Sequence, residues 1–351
     1  MPVKRMDRDQ FFARLAPLDD EHLRKVLWNL YWRGSAPIRE RIETELNPKE
    51  SQRRRSMEDA VDPEWVLSDV TDFVTLARSG AYLAGDRRVN PRERTRWRFT
   101  FQQLRKEAEK ALAAADVANG AAAMEQLIQL ACDTGHYEYF RSEDPVEAAR
   151  FVVSDAVALL WTRLLDQLGF AAFAERAAPQ LARWESQYGW TRTGMGQVSE
   201  REVSLASIVG RMLRAPDAWV RFADSYLQAL DDTARRDKAG SGRSSRSADG
   251  YLLRQRSADL AEWHRLLLDR LFGSEAEDRL DRLARHPALA GPELLFFQAQ
   301  LANRRGDLAS ARRLVHASLQ ELPGHAEFLE FAQEINAPLP PAAERLVAQR
   351  R

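Results

Sequence analysis

The chain has 351 residues, enough to bury a sizeable core in one elongated array or in two domains. Its 52 Lys and Arg balance 52 Asp and Glu, so a protein that coats nucleic acid through a general positive charge is excluded, and any such binding must be local. A single cysteine, Cys132, excludes an intramolecular disulfide framework and a multi-cysteine zinc cluster.

Helix start and stop signals recur along the chain, and strand signals are nearly absent. Asp7 with Gln10 reads as a capping box ahead of Phe11, Phe12 and Leu15. Asp19 or Asp20 opens a second helix, in which Leu23, Val26, Leu27, Leu30 and Tyr31 follow the three-and-four spacing, and Gly34 stops it. Ser35 and Pro37 start a third, with Ile38, Ile42 and Leu46, before the polar stretch "NPKESQRRRSMEDAVD". Asp62-Pro63-Glu64 then supplies a cap, an N1 proline and a first-turn acid to a helix expected to bury Trp65, Val66, Val70, Phe73, Val74 and Ala77 and to end at Gly80.

The stretch "VNPRERTRWRFTFQQLRKEA" mixes arginines with aromatics, as a nucleic-acid-binding stripe would. Asn90, Pro91 and Glu93 make it a helix start instead. At about 100° per residue, Trp97, Phe101, Leu104, Ala108, Ala111, Leu112 and Ala115 fall in one apolar arc. Arg92 and Arg96 border that arc on one side and Arg94, Arg98 and Arg105 on the other, with Phe99 pointing away. Arginine stems that border an apolar stripe cover it while their heads stay wet. The functional alternative is the Arg94/Arg98/Arg105 row, meeting phosphates or an acidic partner; Arg53, Arg54, Arg55, Arg243 and Arg246 are candidates to extend the same surface.

Downstream, Asp144-Pro145 reads as the start of a long apolar helix that Gly169 stops. Trp184, Tyr188 and Trp190, ahead of the glycine-containing "TRTGMGQVS", are candidates for a ligand or peptide groove, weighed against inter-helix packing. Ser199 with Glu202 reads as a capping box before Val203, Leu205, Ile208, Val209 and Leu213, and Asp217 as the first turn of a helix carrying Trp219, Phe222, Tyr226 and Leu230. Glu138, Glu143, Asp144 and Glu147 suggest a negative, solvated face, and Asp231-Asp232 a solvated helix end. Composition places a mobile linker over 237–250, between a helical body (1–236) and a module over 251–336 with a tail at 337–351. Trp263, Leu266, Leu267, Leu271, Phe296 and Phe297 offer more apolar surface than two helical hairpins readily bury, which leaves docking of the module on the body open.

No nucleotide-binding, metalloprotease or nucleophile-elbow motif is present. Cys132 and His136 share a helix spacing, but two ligands are too few for zinc, and a small core cysteine is the expected role. Neither a cofactor nor a metal is expected. The first residues lack an apolar targeting core, and no run approaches about 18 apolar residues, so a cytoplasmic protein without a membrane partner is expected.

Near the C-terminus, "ELLFFQAQLANRRGDLASARRLVHASLQELPGH" resembles a tetratricopeptide (TPR) unit: Gly306 and Asp307 stand at its inter-helix turn, Ala311 at its small helix-B position and Pro323 at its closing proline. Leu295, Gln298, Ala299 and Ala302 depart from that motif's usual helix-A residues. "AEWHRLLLDRLFGSEAEDRLDRLARHP" is a fainter copy, with Gly273 placed 33 residues before Gly306. "LDDEHLRKVLWNLYWRGSAPIRERIETEL" is similar to the helical segment that follows the zinc knuckle in bacterial SWIM-domain proteins. That knuckle needs three cysteines and a histidine, so its zinc and nucleic-acid roles do not carry over. The recurring helix signals predict an all-α fold of antiparallel helix pairs, and these likenesses imply that the pairs stack as an α-solenoid. The function expected is a non-enzymatic adaptor or regulatory subunit that binds other proteins, or else a nucleic-acid-binding accessory factor.

Overall fold

A computed structural model of the chain describes residues 8–34, 39, 42, 46, 61–83, 88–114, 117–188, 196–240 and 246–349. Among them every regular element is a helix, so the fold is all-α. The chain divides into two units, Met1–Val61 and Asp62–Arg351.

In the first unit, α1 (Arg8–Leu15) and α2 (Asp20–Arg33) are joined by a short turn. Asp19 caps α2 by accepting from the His22 N–H at 2.8 Å. Its apolar positions are filled as the spacing predicts, yet none of them is buried, and Trp28 stacks on Tyr31 and Trp32. Asp7 and most of the helix expected over 35–46 lie outside the described residues.

The second unit begins with α3 (Pro63–Arg78), α4 (Pro91–Leu112) and α5 (Val117–Asp133), which pack on one another. Asp62 and Asn90 cap α3 and α4, accepting from the Glu64 and Arg92 N–H groups at 3.0 and 2.9 Å. The apolar arc expected of α4 is buried from Trp97 to Leu112, while Ala115 is outside the described residues. Trp65 departs from expectation. At the first turn of α3 it precedes the buried stripe Val66/Val70/Phe73 and stands 70% exposed. At Gly120 the backbones of α4 and α5 touch: a β-carbon there would lie 2.6 Å from the Ala111 carbonyl carbon.

The helix expected from Pro145 is two pieces. α6 (Pro145–Ala149) is capped by Asp144 and ends at Arg150, whose φ of 51° is left-handed. α7 (Val153–Tyr188) begins afresh and is broken at Gly169 (φ 76, ψ 175). By length and composition Val153–Ser186 meets the requirement for a membrane span. It is not one rod, however. Trp161 and Gln180, 19 residues apart, would be about 28 Å apart on a straight helix, yet the Trp161 Nε1–H donates to Gln180 Oε1 at 2.8 Å. The two halves fold back as a hairpin with Val157, Leu160, Trp161, Leu164, Phe173, Ala177 and Leu181 buried.

The acid three residues after Ser199 does not close a capping box. Glu202 is buried and reaches back to the start of α7, accepting from the Val153 and Ser154 N–H groups at 2.7 and 2.9 Å. Ser204 caps α8 (Leu205–Met212) instead. Two of the acids expected on a solvated face are half-buried and hydrogen-bonded within the chain: Asp144 caps α6, and Glu147 accepts from the Gln197 and Val198 N–H groups.

The segment expected as a linker is helical at both ends. α9 (Pro216–Gly240) runs four residues beyond Arg236, α10 (Arg246–Asp259) starts within the same stretch, and 241–245 lie outside the described residues. Asp237 is tied down by Arg256 at 3.1 Å, a partner that composition does not reveal. Six helices follow, taken in chain order as three pairs: α11 (Ala261–Leu271) and α12 (Asp278–Ala284), α13 (Pro292–Arg304) and α14 (Leu308–Glu321), and α15 (Ala326–Glu334) and α16 (Pro341–Gln349), the last two both packing on α14. Gly273 and Gly306, both at positive φ, make the turns inside the first two pairs. The first pair is joined to α9 through Trp263, which stacks on Trp219 and meets Phe222 and Tyr226 edge-on. The stretch expected as a tail holds α16, whose Ala343 is buried in the core of the last two pairs.

Candidate functional site

Several concave regions among the described residues gather polar side chains, and two of them bear on the arginines of α4 and on the C-terminal helices. One lies along the start of α4, where Pro91, Arg94, Thr95 and Arg98 fall on one face at the helical repeat. Opposite them stand Arg141 and Ser142. Their placement follows from aromatic packing: Phe140 stacks on the buried Trp97 at 4.0 Å between centroids, which brings the next two residues against α4. The open cleft between them is about 650 Å³.

Within it Arg94 is the fixed member. Its Nη1–H donates to the Leu83 carbonyl at 3.0 Å, and its buried Nε–H has no hydrogen-bond partner. Arg98 lies 4.9 Å over the Phe99 ring. Thr95 already donates its hydroxyl to the Arg92 carbonyl at 2.9 Å. Tyr82, also on the wall, has its phenol pushed up to about 12, first by burial and then by the Glu93 carboxylate, and stays neutral. Three arginines share this cleft, and none of them forms an ion pair with a described acid. Elsewhere Arg78 meets Asp133, Arg176 meets Glu125, Arg279 meets Asp224, and Arg305 meets both Glu277 and Asp281.

The other region is a groove of about 260 Å³ along the C-terminal pairs, lined by the first helix of each. Glu262 and Arg265 come from α11, Glu293, Phe296 and Gln300 from α13, and Glu327 and Phe328 from α15, with His325 just before it. Arg265 approaches Glu327 at 3.7 Å across the groove. Burial raises the Glu293 carboxyl above its ordinary range. The His325 ring lies on Phe328 with centroids 3.9 Å apart, and its Nδ1 is buried without a partner. Beneath the groove, His264 is fully buried and shares a 2.8 Å hydrogen bond with the Tyr226 hydroxyl.

Of the arginines singled out in the sequence, the structure brings Arg94 and Arg98 into one cleft and leaves Arg105 out of it. Arg105 is two turns further along α4 and lies 3.5 Å from Glu109, its i+4 neighbour. Arg53, Arg54, Arg55 and Arg243 lie outside the described residues, as does the side chain of Arg246. The aromatic groove is corrected at its anchor: Trp184 is 3% exposed and donates its Nε1–H to Gln129 at 3.0 Å, as a core residue does. Trp190 and the side chain of Tyr188 lie outside the described residues. Cys132 is buried with its thiol pushed up by burial, and His136 points to solvent. Arg141 carries almost no local mark in the sequence. It is separated from Arg94 by 47 residues, and its one signal is the aromatic immediately before it. No family model, curated protein or solved structure matches the chain.

Proposed function

We infer that this protein is a non-enzymatic α-helical adaptor that holds a partner protein along the groove of its three C-terminal helical pairs. The pairs are TPR-like units stacked as a short solenoid, and solenoids bind along a surface to which successive repeats each contribute. One observation carries the reading: the groove is lined by the first helices α11, α13 and α15 together, so its occupant spans all three pairs. Its chemistry narrows the occupant. Glu262 and Glu293 remain after Arg265 and Glu327 meet, so an extended segment bearing a lysine or arginine fits, with Phe296 and Phe328 beneath it.

The reading is tested by affinity capture from the native cell with the full chain and with a Glu262→Lys/Gln300→Arg variant. Both side chains are half-buried at the groove wall and outside the core. The expected result is a protein partner enriched by the native chain and depleted about tenfold by the variant, as for a charge reversal that disrupts an interface. A partner set unaffected by these substitutions would exclude the groove.

A further inference from the structure

We propose that the cleft formed by Arg94, Arg98 and Arg141 binds a terminal phosphate group, carried by a small molecule or by a phosphorylated side chain. The site is separate from the adaptor groove, being built from α4 and the segment after Phe140 rather than from the C-terminal pairs. The charge balance points to the ligand. This neutral chain supplies Arg305 with two carboxylates, yet sets three guanidinium groups around one cleft with no ion-paired acid among the described residues. A single carboxylate would balance one of the three. A phosphate monoester carries about −1.5 to −2 charges at pH 7 and three acceptor oxygens, and planar guanidinium groups match such oxygens with paired N–H donors.

The geometry is partly organised before binding. Arg94 is anchored on the Leu83 carbonyl and keeps a buried Nε–H without a partner. Ser142 adds a hydroxyl donor beside Arg141. The cleft runs along the first two turns of α4, where the helix dipole is positive. At about 650 Å³ it has the volume of a small-molecule site. Arg98 and Arg141 are exposed, so they can close on a ligand without disturbing the core.

The test is calorimetric titration of the full chain with pyrophosphate, with a phosphoserine peptide and with the same peptide unphosphorylated. It is run on the native protein, on Arg98→Ala/Arg141→Ala and on Arg105→Ala. Binding of pyrophosphate alone would identify a small-molecule ligand, and binding of the phosphopeptide alone a phosphorylated segment. Either supports the site if the unphosphorylated peptide is silent, if affinity falls as salt is raised, and if the double variant weakens binding about tenfold or more while Arg105→Ala leaves it unchanged. An unaltered thermal midpoint in the double variant excludes unfolding as the cause. No binding of either phosphorylated probe at millimolar concentration, binding that survives in the double variant, or binding of a DNA oligonucleotide alone would overturn the proposal.

Discussion

His264 shows how far a residue's chemistry is set by neighbours distant in sequence. In "AEWHRLLL" it is one of six histidines with no special context, and the tyrosine that bonds it lies 38 residues earlier, on α9. Folding encloses it between Tyr226 and Phe297, and burial, reinforced by nearby His286, lowers its pKa to about 3. His286 is lowered too, again by burial, although the Asp231 carboxylate at 3.0 Å opposes the shift. Its Nδ1 accepts from the Ala288 N–H, so the neutral ring carries its proton on Nε2 and donates it to Asp231. Asp231, which the sequence suggests is solvated, is thus a structural acceptor that also meets Arg282. The consequence for stability has a definite sign. An unfolded histidine takes up a proton below about 6.5, while folded His264 stays neutral down to about 3. Below about 6.5 the unfolded state therefore binds more protons, and the stability that is whole above that pH is lost as pH falls toward 3. The thermal midpoint should drop between pH 7.5 and 5, with His264 contributing up to about 1.4 kcal/mol per pH unit. A His264→Gln variant should show a visibly flatter dependence; an identical slope would place the effect elsewhere.

At the scale of the element, local signals were readable and long-range ones were not. Asp62-Pro63, Asn90-Pro91 and the stop at Gly169 are each written within a few residues, and each appears in the structure as the sequence implies. The helix expected from Pro145 failed for a physical reason. The second start, at Val153, is capped by Glu202 from 49 residues away, and a carboxylate so distant leaves no local pattern. Apolarity alone does not reveal where a buried stripe begins, and Trp65, one residue before Val66, stays exposed. Gly169 offers the sharper test. No atom lies within 4 Å of a β-carbon built there, so sterics with neighbours predict a harmless substitution. Its backbone, at φ 76 and ψ 175, lies in a region essentially reserved for glycine. Gly169→Ala should cost about 1–3 kcal/mol in denaturant unfolding, since the reversal that brings Trp161 to Gln180 requires that conformation. A change within about 0.5 kcal/mol, ordinary for an open surface position, would show that the hairpin tolerates another backbone path.

For the whole molecule, composition suggested a division at 237–250, and the contacts place one at Val61/Asp62. Gly, Ser and Arg report how much entropy a segment loses on ordering, and say nothing of what its neighbours supply in return. There, α9 extends to Gly240, Asp237 is held by Arg256, and the Trp263 stack joins the C-terminal pairs to α9. The same limit applies at the N-terminus in the opposite direction. α2 has the spacing of a core-facing helix, yet Trp28, Leu30 and Trp32 are 58%, 54% and 71% exposed. Every buried hydrophobic side chain among the described residues, from Val66 to Ala343, belongs to Asp62–Arg351. That unit therefore contains the groups whose burial drives its own folding. A chain consisting of residues 62–351 should unfold cooperatively, with stability changed by less than about 1 kcal/mol, equivalent to a midpoint shift of no more than about 2–4 °C for a domain of this order. It should also be more soluble, because truncation removes exposed Phe11, Phe12, Trp28 and Trp32. Calorimetry of the two chains at matched concentration decides it. A truncated chain that melts broadly, or far below the full one, would mean that residues 1–61 cover part of the larger unit's surface and contribute to its core.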